Sequence, residues 1–180
     1  SAIVITATGS GGNCFLLDTT PITFTSSLGL LGDPPRSIVT DTMSGGQVTV
    51  LFTPGTIAGT AIITGTVPNA GVTTTTVTIL PLGPALIDVT AYPHRITVGG
   101  TAAITANVRD MYGNPVLPGT LINFDTSLGT VSPTVSGTDA TGVATSTLYA
   151  GITPGFATVW AYWGLVMDFD YVEIIAGPPF

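Results

Sequence analysis

Apolar and polar residues alternate along this chain in short stretches, and Gly, Pro, Asn or Asp interrupts each stretch before it grows long. A period of two puts every second side chain on one face of a sheet, and no window carries the 3.6-residue period of a helix. The 33 threonines, 23 glycines and 14 prolines agree: β-branched residues suit strands, and the turn formers between them defeat long helices. The chain is therefore expected to be all-β. In its second half the pattern predicts strands near 86–98, 101–109, 120–127, 131–136, 143–149, 155–163 and 165–175. At the start, "SAIVITAT" has the make-up of a strand and "GSGGN" that of a flexible hinge.

An internal repeat divides the sequence. "PITFTSSLG" (21–29) returns as "LINFDTSLG" (121–129), with Ile22, Phe24 and Gly29 matching Ile122, Phe124 and Gly129. Further on, Asp41, Gly59 and Ala61 align with Asp139, Gly155 and Ala157, and "VTILPLGP" (77–84) aligns with "VEIIAGPP" (172–179). Two units follow, 1–84 and 85–180, each closing with a strand and a Gly-Pro linker. Seven short strands in such a length fit an immunoglobulin-like β-sandwich, so the expected architecture is two of these in tandem.

The second unit resembles the bacterial immunoglobulin-like repeats of invasin- and intimin-type surface proteins. The resemblance rests on the D-x-x-G-N-P-V turn (Asp110, Gly113, Asn114, Pro115, Val116), the F-x-x-S-L-G-T strand end, the T-D-A-x-G-V-A hairpin and the G-x-A-x-V strand. It covers residues 86–175. The first unit departs from it: "GSGGNCFLLDTT" keeps Asn13 but neither the Asp nor the Pro of the turn. The resemblance implies an extracellular, cell-surface location and a structural or adhesive role.

Aligning the units sets Ala2 on Ala102, and nothing in the first unit then corresponds to "LIDVTAYPHRITVGG", the first strand of the second. A sandwich short of that strand loses about four inward side chains, a deficit of roughly 6–12 kcal/mol, against a whole-domain stability of about 5–15 kcal/mol. An exposed edge of this kind recruits any available strand. The expected partner is another copy of the chain, which would build a head-to-tail homopolymer by donor-strand complementation. The residues expected at the joint are Ala2, Ile3, Val4, Ile5 and Thr6, with Trp163 and Phe180 as further contacts. The alternatives are a segment of a longer adhesin stalk, or a two-domain module attached to an enzyme, a surface layer or a phage appendage.

Charge sharpens this picture. Charged residues are 7% of the chain, mean hydropathy is +0.58 and the net charge is −7. The cations are Arg36, Arg95 and Arg109, with no lysine, so no basic patch exists for nucleic acid and no lysine amine for an isopeptide bond. No apolar run is long enough for a membrane-spanning helix. With one histidine, His94, and one cysteine, Cys14, neither a catalytic triad nor a structural zinc site can be assembled, and no enzyme activity or cofactor is expected. Asp168 and Asp170 share a strand face and are weak calcium candidates, the alternative being two solvated carboxylates. Phe156, Trp160 and Tyr162 fall on one face of their strand and Trp163 on the other, with Phe169 and Tyr171 on the next strand. An outward aromatic set of this kind would meet either a neighbouring subunit or a glycan on a host surface.

Overall fold

The computed structural model describes residues 3–8 and 19–177, and among them every regular element is a β-strand. The chain divides into two compact units, Ser1–Leu80 and Pro81–Phe180.

In the second unit the strands are β8 (Leu86–Tyr92), β9 (Arg95–Thr97), β10 (Thr101–Arg109), β11 (Leu121–Thr126), β12 (Thr130–Ser132), β13 (Val135–Gly137), β14 (Val143–Tyr149), β15 (Gly155–Trp163) and β16 (Val166–Ile175); those of the first unit precede them in number. They form two sheets, in the orders β12-β14-β10-β8 and β13-β11-β15-β16-β9. The two inner faces interdigitate around a core that includes Ile104, Val108, Ile122, Leu148, Val159, Val172 and Ile174, all essentially inaccessible to water. Alternation is strict along the central strands. In β15, Ala157, Val159 and Ala161 are buried while Phe156, Thr158, Trp160 and Tyr162 point outward.

Two stretches expected to be single strands are each two. Residues 86–98 split at Tyr92, Pro93 and His94: β8 runs antiparallel to β10 in one sheet, and β9 runs parallel to β16 in the other. Residues 131–136 split at Pro133, with β12 beside β14 and β13 beside β11. Proline has no N–H to give a ladder, so each strand ends there and resumes across the sandwich. A short pattern of alternating residues carries no mark of which sheet it joins.

In the first unit the strands are β1 (Ile3–Thr8), β2 (Pro21–Ser26), β3 (Leu30–Leu31), β4 (Ile38–Thr42), β5 (Gln47–Thr53), β6 (Gly59–Val67) and β7 (Gly71–Ile79). Its sheets are β1-β5-β3 and β4-β2-β6-β7, closing on Ile22, Phe24, Leu31, Phe52, Ala61 and Ile63. The two units share one plan. Gly29 and Gly129 both have positive φ (+72° and +82°), and Gly59 and Gly155 each lie against a leucine, Leu28 and Leu128.

Two details of the sequence alignment change. Leu31 pairs with Phe52 as Val131 pairs with Leu148, and Ile3 and Ala102 lie opposite Phe52 and Leu148 in turn. Ile3, and not Ala2, is therefore the counterpart of Ala102, a shift of one that exchanges the two faces of the strand. Likewise Asp41 lies within β4, whereas the hairpin position of Asp139 is taken by Ser44, whose N–H and C=O pair with Gln47 as those of Asp139 pair with Val143 and Gly142. The first unit's hairpin is shorter, and the alignment absorbed the gap in the wrong place.

Candidate functional site

The side of the second unit closed by residues 86–97 shows what the sandwich needs there. β8 covers the edge of β10, and β9 covers the edge of β16. Each outermost strand still presents backbone groups that must find a partner or water. Here the carboxylates of β16 reach across: Asp168 Oδ2 accepts the Val89 N–H at 2.9 Å, and Asp170 Oδ2 accepts the Ala91 N–H at 2.8 Å. Val172 and Ile174, on the same face of β16, are buried. Ile87, Val89, Ala91 and Ile96 then complete the core. His94 sits beside this clamp, its Nδ1 3.6 Å from Asp170 Oδ2 and 3.2 Å from the Tyr171 carbonyl. Beyond it Arg95 forms a two-pronged pair with Glu173, at 2.7 and 3.3 Å. The hydrogen bonds of this pair, with its charge attraction, raise the arginine's pKa and hold the glutamate's below its ordinary value.

Asp168 and Asp170 are thus engaged with the backbone of β8, and among the described residues no group of three or more His, Cys, Asp or Glu converges on one point. Their shared strand face was correctly apparent from sequence; what it does is hold an edge strand. Replacing both by alanine is expected to leave two β8 N–H groups unsatisfied, at about 1–3 kcal/mol for each. Amide exchange at Val89 and Ala91 should accelerate with it, and unchanged exchange would show that water replaces the carboxylates without loss.

In the first unit the corresponding edges are bare among the described residues. β1 pairs with β5 on one side only, and β7 pairs with β6 on one side only. The expected joint residues Ile3, Val4, Ile5 and Thr6 lie in β1, in register with Phe52, Leu51, Val50 and Thr49 of the same unit. Ala2 and Phe180 lie outside the described residues. Ladder register sets Thr73 and Thr75 of β7 at the places of Asp168 and Asp170, by way of the pairs Ala61–Val77 and Ala157–Val172. They belong to the core-facing set with Val77 and Ile79, yet both are exposed. An inward face open to water is the signature of an uncovered sandwich side.

The second unusual surface is the outer face of β11, β15 and β16. Cross-strand pairing lines up Asn123, Tyr162 and Met167 in one row and Asp125, Trp160 and Phe169 in the next, followed by Thr158 with Tyr171 and Phe156 with Glu173. Phe169 and Tyr171 meet edge to face, with ring centroids 5.4 Å apart. Asp125, Trp160, Tyr162 and Met167 line a shallow cavity of about 280 Å³. Trp163 ends β15 on the opposite parity, 42% exposed and within the second unit beside Gly83.

A third feature is structural. Asp110, 3% exposed, is the hub of the D-x-x-G-N-P-V turn. Its Oδ1 accepts the N–H groups of Tyr112 (2.8 Å) and Asn114 (2.9 Å); its Oδ2 accepts the Leu82 N–H (3.1 Å) and the Asn114 side-chain amide (2.9 Å). Burial opposes its ionisation, but these donors outweigh it and bring its pKa down to about 2. No sequence signal tied Asp110 to Leu82, since that contact links the turn to the strand entry 28 residues earlier.

Comparison with known proteins adds the following. Residues 83–166 match the family model described as invasin, domain 3. Among solved structures, InvD of Yersinia pseudotuberculosis is 23% identical, with 98% of this chain and 53% of that one covered and a TM-score of 0.68. Invasin, described as a bacterial integrin-binding protein, is 22% identical over 99% of this chain and 37% of its own, with a TM-score of 0.54. FdeC, an Escherichia coli adhesin, is 16% identical over 96% and 59%, with a TM-score of 0.50. At such identities the likeness is one of fold, and the chain spans 37–59% of the length of these three. No curated protein sequence matches it significantly.

Proposed function

Because its second unit is a bacterial immunoglobulin-like repeat of the invasin/intimin type, we propose that this chain is a structural module of a bacterial cell-surface assembly, a non-catalytic spacer completed by strand addition. The observation that carries this reading is the contrast between the units: β8 and β9 close one side of the second, and the described residues supply nothing to the same side of the first. Main-chain hydrogen bonds to β1 or β7 and apolar side chains on alternate residues are what such a site offers.

In its finer form, the strand comes from another copy. The contact is then heterologous, and repeating it builds an extracellular filament joined head to tail. The scarcity of charge supports burial of surface in an assembly over life as a lone monomer. A second reading has the strand come from a neighbouring part of one longer polypeptide, making the chain a segment of an adhesin stalk; the fold likeness to InvD and FdeC favours it.

Negative-stain microscopy of the native material separates the two. Filaments with an axial repeat of one or two domain lengths are expected for strand exchange between copies. Discrete rods anchored at a cell surface would replace that reading with the stalk.

A further inference from the structure

The aromatic face of the second unit has an internal control. Ladder register places Thr23, Thr25, Thr60, Thr64, Thr66, Thr74 and Thr76 of the first unit where the second has Asn123, Asp125, Phe156, Trp160, Tyr162, Phe169 and Tyr171. The first unit thus carries threonines where the second carries five rings, with Ile62 and Val72 at the places of Thr158 and Met167. The fold does not require the rings, and three of them are largely exposed, Phe156 at 70%, Tyr171 at 51% and Phe169 at 47%, while Trp160 and Tyr162 between them are half-buried. Such an investment of apolar surface in water is a binding surface in waiting.

We propose that the outward face of β11, β15 and β16 binds a neutral polysaccharide, with Trp160 and Tyr162 stacking on sugar rings and Asp125 accepting their hydroxyls. The choice of occupant follows from charge. Asp125 stands in the same row as Trp160 and helps to line the cavity. A second copy docked here would bring its own net charge of −7 toward that carboxylate and would need cations to offset the repulsion. The chain has little to do so with: Arg95 is held by Glu173, Arg109 donates to the Gly113 carbonyl, and Arg36 alone remains. A pyranose needs no cation. Its C–H face packs on aromatic rings, and its hydroxyls donate to a carboxylate. Uronates and sulfated glycans are disfavoured by Asp125 and by a net charge of −7. Acceptors and rings continue across three strands, which offers more contact to an extended chain of sugars than to a single one. This inference is independent of how the first unit is completed.

The test is affinity electrophoresis of the full chain through soluble β-glucan, xylan and mannan gels, with heparin and polygalacturonate as anionic controls. Tryptophan fluorescence titration with cellohexaose and mannohexaose follows; both tryptophans, Trp160 and Trp163, lie in the second unit. At least one neutral glycan is expected to retard the protein, and neither anionic one. Trp160→Ala should weaken that binding about tenfold or more, the loss of one ring stack, while Asp125→Ala weakens it less and Thr64→Ala, at the equivalent place in the first unit, leaves it unchanged. Each variant is checked for an unaltered melting temperature and sedimentation coefficient. Retardation by the anionic glycans alone, no retardation by any neutral glycan, or binding indifferent to Trp160→Ala would overturn the proposal. So would a Trp160→Ala variant whose self-association changes while glycan binding does not, which would make the face a contact between copies.

Discussion

Replacing Asp110 by alanine is expected to lower the melting temperature of the second unit by about 15 °C, corresponding to roughly 3 kcal/mol. The carboxylate satisfies three backbone N–H groups and one side-chain amide in a place that water scarcely reaches, and truncation takes this acceptor from all four donors at once. Asn keeps one acceptor and adds an unwanted donor, so Asp110→Asn should recover only part of the loss. Acid should mimic the substitution. The folded-state pKa of about 2 lies below the ordinary carboxylate value near 3.9, so the ionised group stabilises the fold above about pH 4. That contribution, roughly 2 kcal/mol, fades as the pH falls from about 4 to about 2. Thermal melts of the wild type and of Asp110→Ala should therefore converge over that interval. Parallel curves would show that the turn draws its stability elsewhere.

Gly129→Ala is expected to cost about 2–4 kcal/mol, for two reasons that add. Its φ of +82° is disfavoured for any residue with a Cβ, and that Cβ would collide with the carbonyl oxygen of Tyr149 at the end of β14. The obstacle is backbone in a sheet ladder, which cannot swing aside as a side chain would. Gly99 supplies the control: its φ is +75°, but nothing lies within 4 Å of the added carbon. Gly99→Ala should show the conformational cost alone, about 1 kcal/mol. Equal losses at the two sites, measured by urea unfolding, would mean that the collision relaxes freely. The same crowding recurs at Gly29, whose added Cβ would lie 2.7 Å from the Phe52 ring and from the Thr53 carbonyl. This explains in physical terms why the S-L-G segment is shared by the two halves.

Much of this was readable from residues in order. The two-residue period found the strands because each sandwich face is half buried, and the repeat of 21–29 in 121–129 found the common plan because both copies need the same tight turn after β2 and β11. The face assignments of Phe156, Trp160 and Tyr162 follow from the same period. The repeat also suggests a turn cap at both Asp41 and Asp139; Asp139 is one, its Oδ1 taking the Thr141 and Val143 N–H groups, whereas Asp41 lies within β4. What local pattern does not contain is partnership across the sandwich. Pro93 and Pro133 mark where a strand must end, but not that the chain resumes in the other sheet. Asp168 and Asp170 read from sequence as two solvated carboxylates or a weak calcium pair, because their acceptor role depends on N–H groups 79 residues away. Alignment by residue identity also slipped by one at β1, where small apolar residues follow one another and only the ladder with β5 fixes the register. An open edge on the first unit is expected from the missing counterpart of residues 86–98; what only the structure supplies is the exposure of Thr73 and Thr75, threonines of the core-facing set that remain in contact with water.

The central claim is that the first unit accepts a strand at the place β8 and β9 occupy in the second. It is tested most directly by hydrogen–deuterium exchange on the isolated chain and on a version carrying a second copy of residues 85–98 joined ahead of Ser1 by a short flexible linker. The account predicts fast exchange at the outward amides of β1 and β7 in the first, and protection at least tenfold greater in the second, with β8–β16 unaltered. Amides of β1 and β7 already as protected in the isolated monomer as those of β10 and β16, and unmoved by the added segment, would contradict it.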